Sequence, residues 1–412
     1  MRVPLGFGSA RNLQLAVRPF QSETMDAILS PDPTLLPRFT RLRREPTRPI
    51  ALRDEKFEAQ FDATTLFFDA FRCEESGRIV ILGPPLFNLA PAFATMRVVA
   101  LPSGVRCSFA LRHLDRHMQM WLDAPPGTER LRFSGNLGEF EIVVAQAARS
   151  PFGDRRVIFT LSKDNEIEWI RDWVRFNRDI HGADAVLIYD NDSSRYTTGE
   201  LLDAVRSVAG IREAVVVHWP FRYGPQGTLA RGLWDSDFCQ LGAWEHARRR
   251  FLANARCVMN SDIDEFVLCG DGRSVFEEAE RSPFGIARYS GRWIVATDEG
   301  KRETLPRHRD FDVALRPQMQ RTRFFLKRDA VACFPKWTLV PRRCPDRAQW
   351  KVHTIGGWLP ARLKTSGIGF RHFREIGGNW KYDRKIREAF DPARHVRDEA
   401  LARAFARVDW LR

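Results

Sequence analysis

The chain has 412 residues, a net charge of +13 and a sequence pI near 9.8; that length accommodates about two to three domains, and the ordinary apolar and charged fractions exclude a disordered or fibrous chain. The basic excess, arginine scattered along the chain, suits phosphate-bearing or membrane-surface partners, whereas no zinc-finger or homeodomain pattern supports a nucleic-acid binder. Seven cysteines without C-x-x-C or zinc spacing, no signal-peptide core and no membrane-length apolar run imply a reducing, cytoplasmic setting, with any membrane contact peripheral at the inner face.

Residues 1–55 are rich in Pro and Arg and read as an irregular leader. From 56 to 150, short runs such as Arg78 to Leu82, Met96 to Ala100 and Phe140 to Val144 alternate with turn residues, the pattern of a small all-β domain, a sandwich by its strand spacing. His113 and His117 lie among these strands without a partnering glutamate and read as exposed polar residues. Pro151 to Asp154 marks a boundary, after which strand and helix patterns alternate. Strands are expected at Arg156 to Leu161, Ala185 to Tyr189, Ala214 to Trp219 and Arg256 to Asn260, with helices near 164–178, 198–208 and 238–254. Such a succession builds an α/β fold on a mostly parallel sheet over 151–390. Further strands are expected at Phe284 to Tyr289, Trp293 to Ala296, Arg321 to Leu326, Lys336 to Val340 and Lys351 to His353, with Gly369 to Arg374 a loop or edge. The stretch Asn379 to Leu411 reads as helical and basic, 391–412 forming a C-terminal helical tail.

In a parallel sheet, ligands bind beyond the carboxyl ends of the strands. Three such ends here are polar: Ser162 to Glu166, Asp190 to Ser194 and Asp262 to Glu265. Asp262 and Asp264 stand at alternate positions, and in an extended chain they project to one side, where two carboxylates can share a hard divalent cation with a diphosphate. Taken alone, Asp262-Ile263-Asp264 reads first as a strand running into an acidic, solvated turn, and only its surroundings favour the metal reading. Phosphate-loop, dinucleotide-fingerprint and hydrolase-elbow motifs do not occur.

As a set, Lys163-x-Asn165-Glu166 with Glu168-Trp169, then Tyr189 to Ser194, then Gln240, then Asp262-x-Asp264-Glu265-Phe266, resembles in order and spacing the glycosyltransferases of family ninety-two and their family-two-like bacterial relatives, over roughly residues 155–390. That resemblance implies a GT-A fold and an inverting, Mn2+- or Mg2+-dependent transfer from a nucleotide-sugar donor, a UDP-sugar, to a saccharide or glycolipid acceptor. It implies that Lys163, Asn165, Glu166, Asp190, Asp192, Ser193, Gln240, Asp262, Lys336 and His372 meet the nucleotide sugar. Asp262, Asp264 and His353 would hold the metal, with His353 slightly favoured over His372. Inversion needs a base for the acceptor proton, and Asp298 or Glu299 follows the Trp293 strand. Here the chain has Trp293-Ile294-Val295-Ala296-Thr297 where relatives tend to W-x-x-F-G, which leaves the base and the acceptor open.

Each residue also has a plain structural role available. Glu166 can serve a helix N-terminus, Asp190 and Asp192 can form turns, and the two histidines can be structural. Two other classes are weighed: a non-catalytic carbohydrate-binding or scaffold protein on the same fold, and an Asp-nucleophile phosphatase, disfavoured by Phe266 two residues after the second Asp.

Overall fold

The computed structural model describes residues 27–147, 149–225, 235–297, 304–321, 327–377 and 389–411. Its centre is an 11-stranded mixed sheet. In chain order the strands are β1 (Ile28–Leu29), β2 (Arg156–Ser162), β3 (Ala185–Asp190), β4 (Glu213–His218), β5 (Cys257–Asn260), β6 (Glu265–Cys269), β7 (Ile286–Val295), β8 (Val313–Leu315), β9 (Cys333–Leu339), β10 (Ile368–Phe373) and β11 (His395–Arg397). They lie in the order β1-β4-β3-β2-β5-β9-β7-β8-β11, with β10 between β6 and β7. The first five are mutually parallel along that order. From β5 to β9 onward the pairing turns antiparallel, apart from β10 beside β7.

The near-continuous apolar run of β2 follows from burial on both faces. Ile158 packs on one side with Trp169, Ile170, Trp173 and Val174 of α1 (Ile167–His181), beside Leu201 and Val205 of α2 (Thr198–Arg206). Val157 and Phe159 pack on the other side with Phe238, Ala243 and Trp244 of α3 (Phe238–His246), which continues as a π-helical turn to Leu252. Gly182 ends α1 in the left-handed region (φ +70°), and its N–H donates to Arg178 O at 2.9 Å. A reciprocal cap between Thr197 and Glu200 starts α2 and so fixes where the loop after β3 ends. Because α1 and α2 carry the chain one way from β2 and α3 carries it back across the other face, the winding reverses between β2 and β5. The carboxyl ends of β2 and β5 therefore meet at the switch point, where sheets of this kind bind ligands.

Residues 56–147 form two four-stranded antiparallel sheets around a core that includes Phe67, Ile81, Phe93, Val98 and Phe133. One-turn helices at Phe57–Gln60 and Ala90–Ala94 interrupt the expected all-β texture. This segment also shares a core with the α/β part, since Phe57, Phe61 and Phe68 pack with Trp219 and Phe238. His117 is buried at 1 % exposure, contrary to its reading as exposed, with Nδ1 3.1 Å from Gln349 Nε2; the preceding β-turn folds it inward.

Several elements differ from expectation for physical reasons. The supposed irregular leader is folded over its described part. Leu29 and Ile28 add a parallel edge strand to β4, and the fully buried Arg44 donates to the carbonyls of Pro85, Asp62 and Thr65 at 2.6, 2.7 and 2.7 Å. The two strands expected over 284–296 are one, β7, with a bulge between Tyr289 and Gly291. Gly369 to Arg374 is not a loop or edge but an interior strand paired on both sides. Lys351 to His353 is a turn between the short strands Gln349–Trp350 and Ile355–Gly356. Of the last stretch expected to be helical, residues 379–388 lie outside the described residues, and over 389–411 β11 and one short helix, α4 (Glu399–Phe405), stand in place of a continuous helical tail. No helix among the described residues is long and apolar enough to cross a membrane.

Candidate functional site

At the end of β5 the chain turns. Glu265 N–H donates to Asp262 O at 3.0 Å, Asp262 N–H donates to Glu265 Oε2 at 3.1 Å, and Ser261 Oγ–H donates to Glu265 O at 3.0 Å. Asp262 and Asp264 are therefore set by a turn and not by the alternation of an extended strand, which corrects the expectation for the pair. They remain close enough for the Asp264 charge to oppose ionisation of Asp262.

Two cations from other strands meet these carboxylates. The Lys336 Nζ of β9, 1 % exposed, lies 2.7 Å from Asp262 Oδ2 and 3.1 Å from Glu265 Oε2. These are ion-pair distances without the directional geometry of hydrogen bonds. His372 of β10, opposite Glu265 in the ladder, brings Nε2 to 3.0 Å from Asp264 Oδ2 and Nδ1 to 3.8 Å from Glu265 Oε1. Burial pulls the His372 imidazole down, but the charge of Asp264 and its hydrogen bond outweigh burial and raise it to about 10. Burial pushes Glu265 up to about 7 against the pull of Lys336. For Asp262 burial is the largest influence and raises it, yet Lys336 wins and holds the carboxyl below its ordinary value. Trp293 of β7 stacks on His372 with centroids 4.2 Å apart, and the Arg374 guanidinium lies 5.1 Å from the indole centroid.

The neighbouring strand ends form a second half. Lys163 Nζ donates to the carbonyls of Asn191 and Asp192 at 2.8 and 2.7 Å and so ties the loop after β2 to the loop after β3. Asp164, with φ +51°, accepts from Ser194 N–H at 2.7 Å. Asn165 Nδ2 donates to Ser162 Oγ at 2.9 Å, and Glu166 pairs with Arg195 at 2.6 Å. Asp190 accepts from Ser193 Oγ at 2.5 Å, the turn-forming role that was one of its two readings, and burial raises its carboxyl. Asp192, 69 % exposed, lies 3.8 Å from His218 Nε2. The loop after β3, with Ser30 and His218, walls a cleft of ≈ 500 Å³ whose lining includes Asp190, Ser193, Arg195 and Tyr196.

The structure thus brings Asp262, Asp264, Lys336 and His372 into one cluster, and Lys163, Asn165, Glu166, Asp190, Asp192 and Ser193 into adjoining loops. Two residues stand apart. Gln240 accepts from Tyr223 Oη at 2.6 Å within the first turns of α3. His353 is exposed, with Nδ1 3.2 Å from Pro335 O and its ring 5.3 Å from that of Phe334, whereas His372 is the histidine that meets Asp264. Asp298 and Glu299 lie outside the described residues. Sequence reasoning missed the 2 %-exposed Glu265 as a member of the cluster, together with Trp293, Ser30 and His218. Adjacency to Asp264 was the available signal for Glu265; the others depend on strand pairing across long separations.

A Mg2+ or Mn2+ ion is commonly held by one or two carboxylates and completed by substrate phosphates. Asp262 and Asp264 keep 32 % and 17 % of their side chains exposed, against 1 % and 3 % for Lys336 and Glu265. Among the described residues, no group of three acidic, histidine or cysteine side chains forms a ready-made metal shell. Two reachable carboxylates are the donor number that such a cation takes from a protein when substrate phosphates complete its shell. Compared with known proteins, the chain matches no family model and no curated sequence.

Proposed function

We propose that the protein is a metal-dependent glycosyltransferase of GT-A type, resembling families ninety-two and two, that moves a sugar from a UDP-sugar to a saccharide or glycolipid acceptor with inversion. The carrying observation is the cluster of Asp262, Asp264, Lys336 and His372 at the reversal of the winding, on the same sheet as a cleft at the ends of β3 and β4. In this reading the nucleoside occupies the cleft, whose wall is held by the Lys163 and Asp190 hydrogen bonds.

Asp262 and Asp264 would hold the Mn2+ or Mg2+, which when bound neutralises the diphosphate leaving group. Transfer forms a bond from the acceptor oxygen to the anomeric carbon as the bond to the diphosphate oxygen breaks; the electron pair leaves with the diphosphate and the acceptor proton passes to a base. Lys336 and His372 contribute fixed positive charge beside the two carboxylates, so that the phosphates enter a site already partly neutralised. Asp298 and Glu299 remain the proposed bases. A cytoplasmic enzyme peripheral to the inner membrane face accords with the chain's net charge of +13.

Calorimetric titration of UDP with Mn2+ tests the reading. Asp264→Ala should weaken binding by about tenfold or more and abolish Mn2+-dependent UDP-sugar hydrolysis; because it also takes the charge partner from His372 it should lower the melting temperature, and circular dichroism at the assay temperature checks that the variant is folded. Titrations unaltered by the substitution overturn it, and UDP-sugar binding without turnover in the wild type favours the non-catalytic carbohydrate-binding alternative.

A further inference from the structure

Asp262 and Asp264 flank Ile263, and the carbonyls of all three residues have a donor. Asp262 O accepts from Glu265 N–H at 3.0 Å and Asp264 O from Phe373 N–H at 2.8 Å, both backbone groups. The carbonyl between them is held by a side chain instead: His308 Nε2 lies 2.9 Å from Ile263 O. A carbonyl oxygen only accepts, so Nε2 carries the ring proton and donates it.

His308 comes from a segment 45 positions further along the chain and is 0 % exposed. Its ring stacks on Phe266 with centroids 4.3 Å apart, and Phe373 meets it edge-on at 5.2 Å. Helix α1 fastens the residues just before it. Trp169 Nε1–H donates to Pro306 O at 2.7 Å, and Arg307 Nε–H donates to the buried Asp172 Oδ2 at 2.7 Å. Asp172 Oδ2 also lies 3.9 Å from His308 Nδ1, too far for a hydrogen bond. A reciprocal pair closes the turn that bears the ring: Arg307 N–H donates to Asp310 Oδ2 at 2.8 Å, and Asp310 N–H donates to Arg307 O at 3.0 Å. The donor to Ile263 O is thus set from α1 and not from the acidic turn itself.

The turn needs such a hold. Asp262, Asp264 and Glu265 place three carboxylates within four residues, and their mutual repulsion favours opening it. A divalent ion shared by Asp262 and Asp264 needs the two side chains at one spacing, Mg2+ most strictly. Restraining the peptide midway between them restrains both. We propose that His308 is a positioning residue for the metal, its Nε2–H holding Ile263 O so that Asp262 and Asp264 keep the spacing the ion requires. This rests on the transferase reading of the acidic turn. A histidine that only satisfied a buried carbonyl would affect stability and leave the metal dependence alone.

Calorimetric titration of the full chain with UDP, in Mn2+ and in EDTA, separates the two roles. In His308→Gln the amide nitrogen reaches the position of Nε2; in His308→Asn it is a methylene short, and His308→Phe keeps the ring stack without the donor. The Asn and Phe variants should weaken Mn2+-dependent UDP binding by about 10–100-fold and leave binding in EDTA within about twofold of wild type. The Gln variant should return to within about threefold of wild type in Mn2+. Circular dichroism at the assay temperature checks the fold, and if the Phe variant is unfolded the Asn and Gln pair decides. Wild-type binding by the Asn variant, equal losses in Mn2+ and in EDTA, or a Gln variant no better than Asn overturns the inference and leaves the transferase reading standing. Wild-type protein that binds UDP no better in Mn2+ than in EDTA overturns both.

Discussion

His181 closes α1 with both ring nitrogens engaged: Nε2–H donates to Val267 O at 2.9 Å, and Nδ1 accepts from Val275 N–H at 3.2 Å. A second proton has nowhere to go, and burial lowers the imidazole from 6.5 to about 4. The folded state therefore binds fewer protons than the unfolded chain between those values. Stability is full above about pH 6.5, falls as pH drops toward 4, and levels off below, a loss of about 3 kcal/mol from this group. His117 and His246, also buried and lowered, act in the same direction. Urea midpoints at pH 7.5 and pH 5 check this, and a histidine NMR titration should find the His181 ring neutral at pH 5.5. Charge of this kind was not legible beforehand. His181 stands out in no motif, and its acceptor, Val267, belongs to β6, 86 residues further on.

At the scale of elements, α3 depends on one missing side chain. A Cβ on Gly242 would lie 2.5 Å from the Phe68 ring, which is wedged against Trp219 and Phe221 at centroid separations of 5.3 and 4.5 Å. Gly242→Val should cost about 1–3 kcal/mol or more by overpacking, despite the poor helix propensity of glycine, and chemical denaturation measures it. The sequence pattern made β2 to β5 and their helices readable because parallel strands buried on two faces carry continuous apolar runs at short spacing. It made the acidic ends of those strands readable as lying on one edge of the sheet, since the winding order follows from short right-handed connections. The place of His372 was hidden for the opposite reason. Its strand reads Ile368-Gly-Phe-Arg-His-Phe373, with a glycine and two basic residues, and only pairing with both β6 and β7 makes it interior. Lys336 was legible as a residue and not as a partner, because its ion pairs join segments more than 70 positions apart.

Across the whole molecule, the N-terminal sheets and the α/β part are joined by buried polar contacts as well as by shared aromatics. Tyr189 Oη lies 2.7 Å from His246 Nδ1, and His246 Nε2 lies 2.8 Å from Asp69 Oδ2, so a side chain next to Asp190 is held by a residue of the first half. Gln119 Nε2 donates to Glu245 Oε2 at 2.7 Å, and Arg48 is paired with the buried Asp235 at 2.8 Å. Leaving one member of such a chain without its partner costs far more than an exposed ion pair is worth. Strand β1 carries the same dependence to the rim of the sheet. Its two residues cover the outer edge of β4, whose Ala214 to Val217 are apolar and buried, and Ser30 just beyond reaches the cleft. Beneath those two residues lies a row of backbone donors and acceptors in a strand of high β-propensity, the template on which chains join edge to edge. Deleting residues 1–30 should therefore turn a monodisperse protein into one whose light-scattering mass grows with concentration and time, while Gly242 and the acidic cluster are untouched. The short N-terminal strand is, in that sense, a solubility device as much as a structural one.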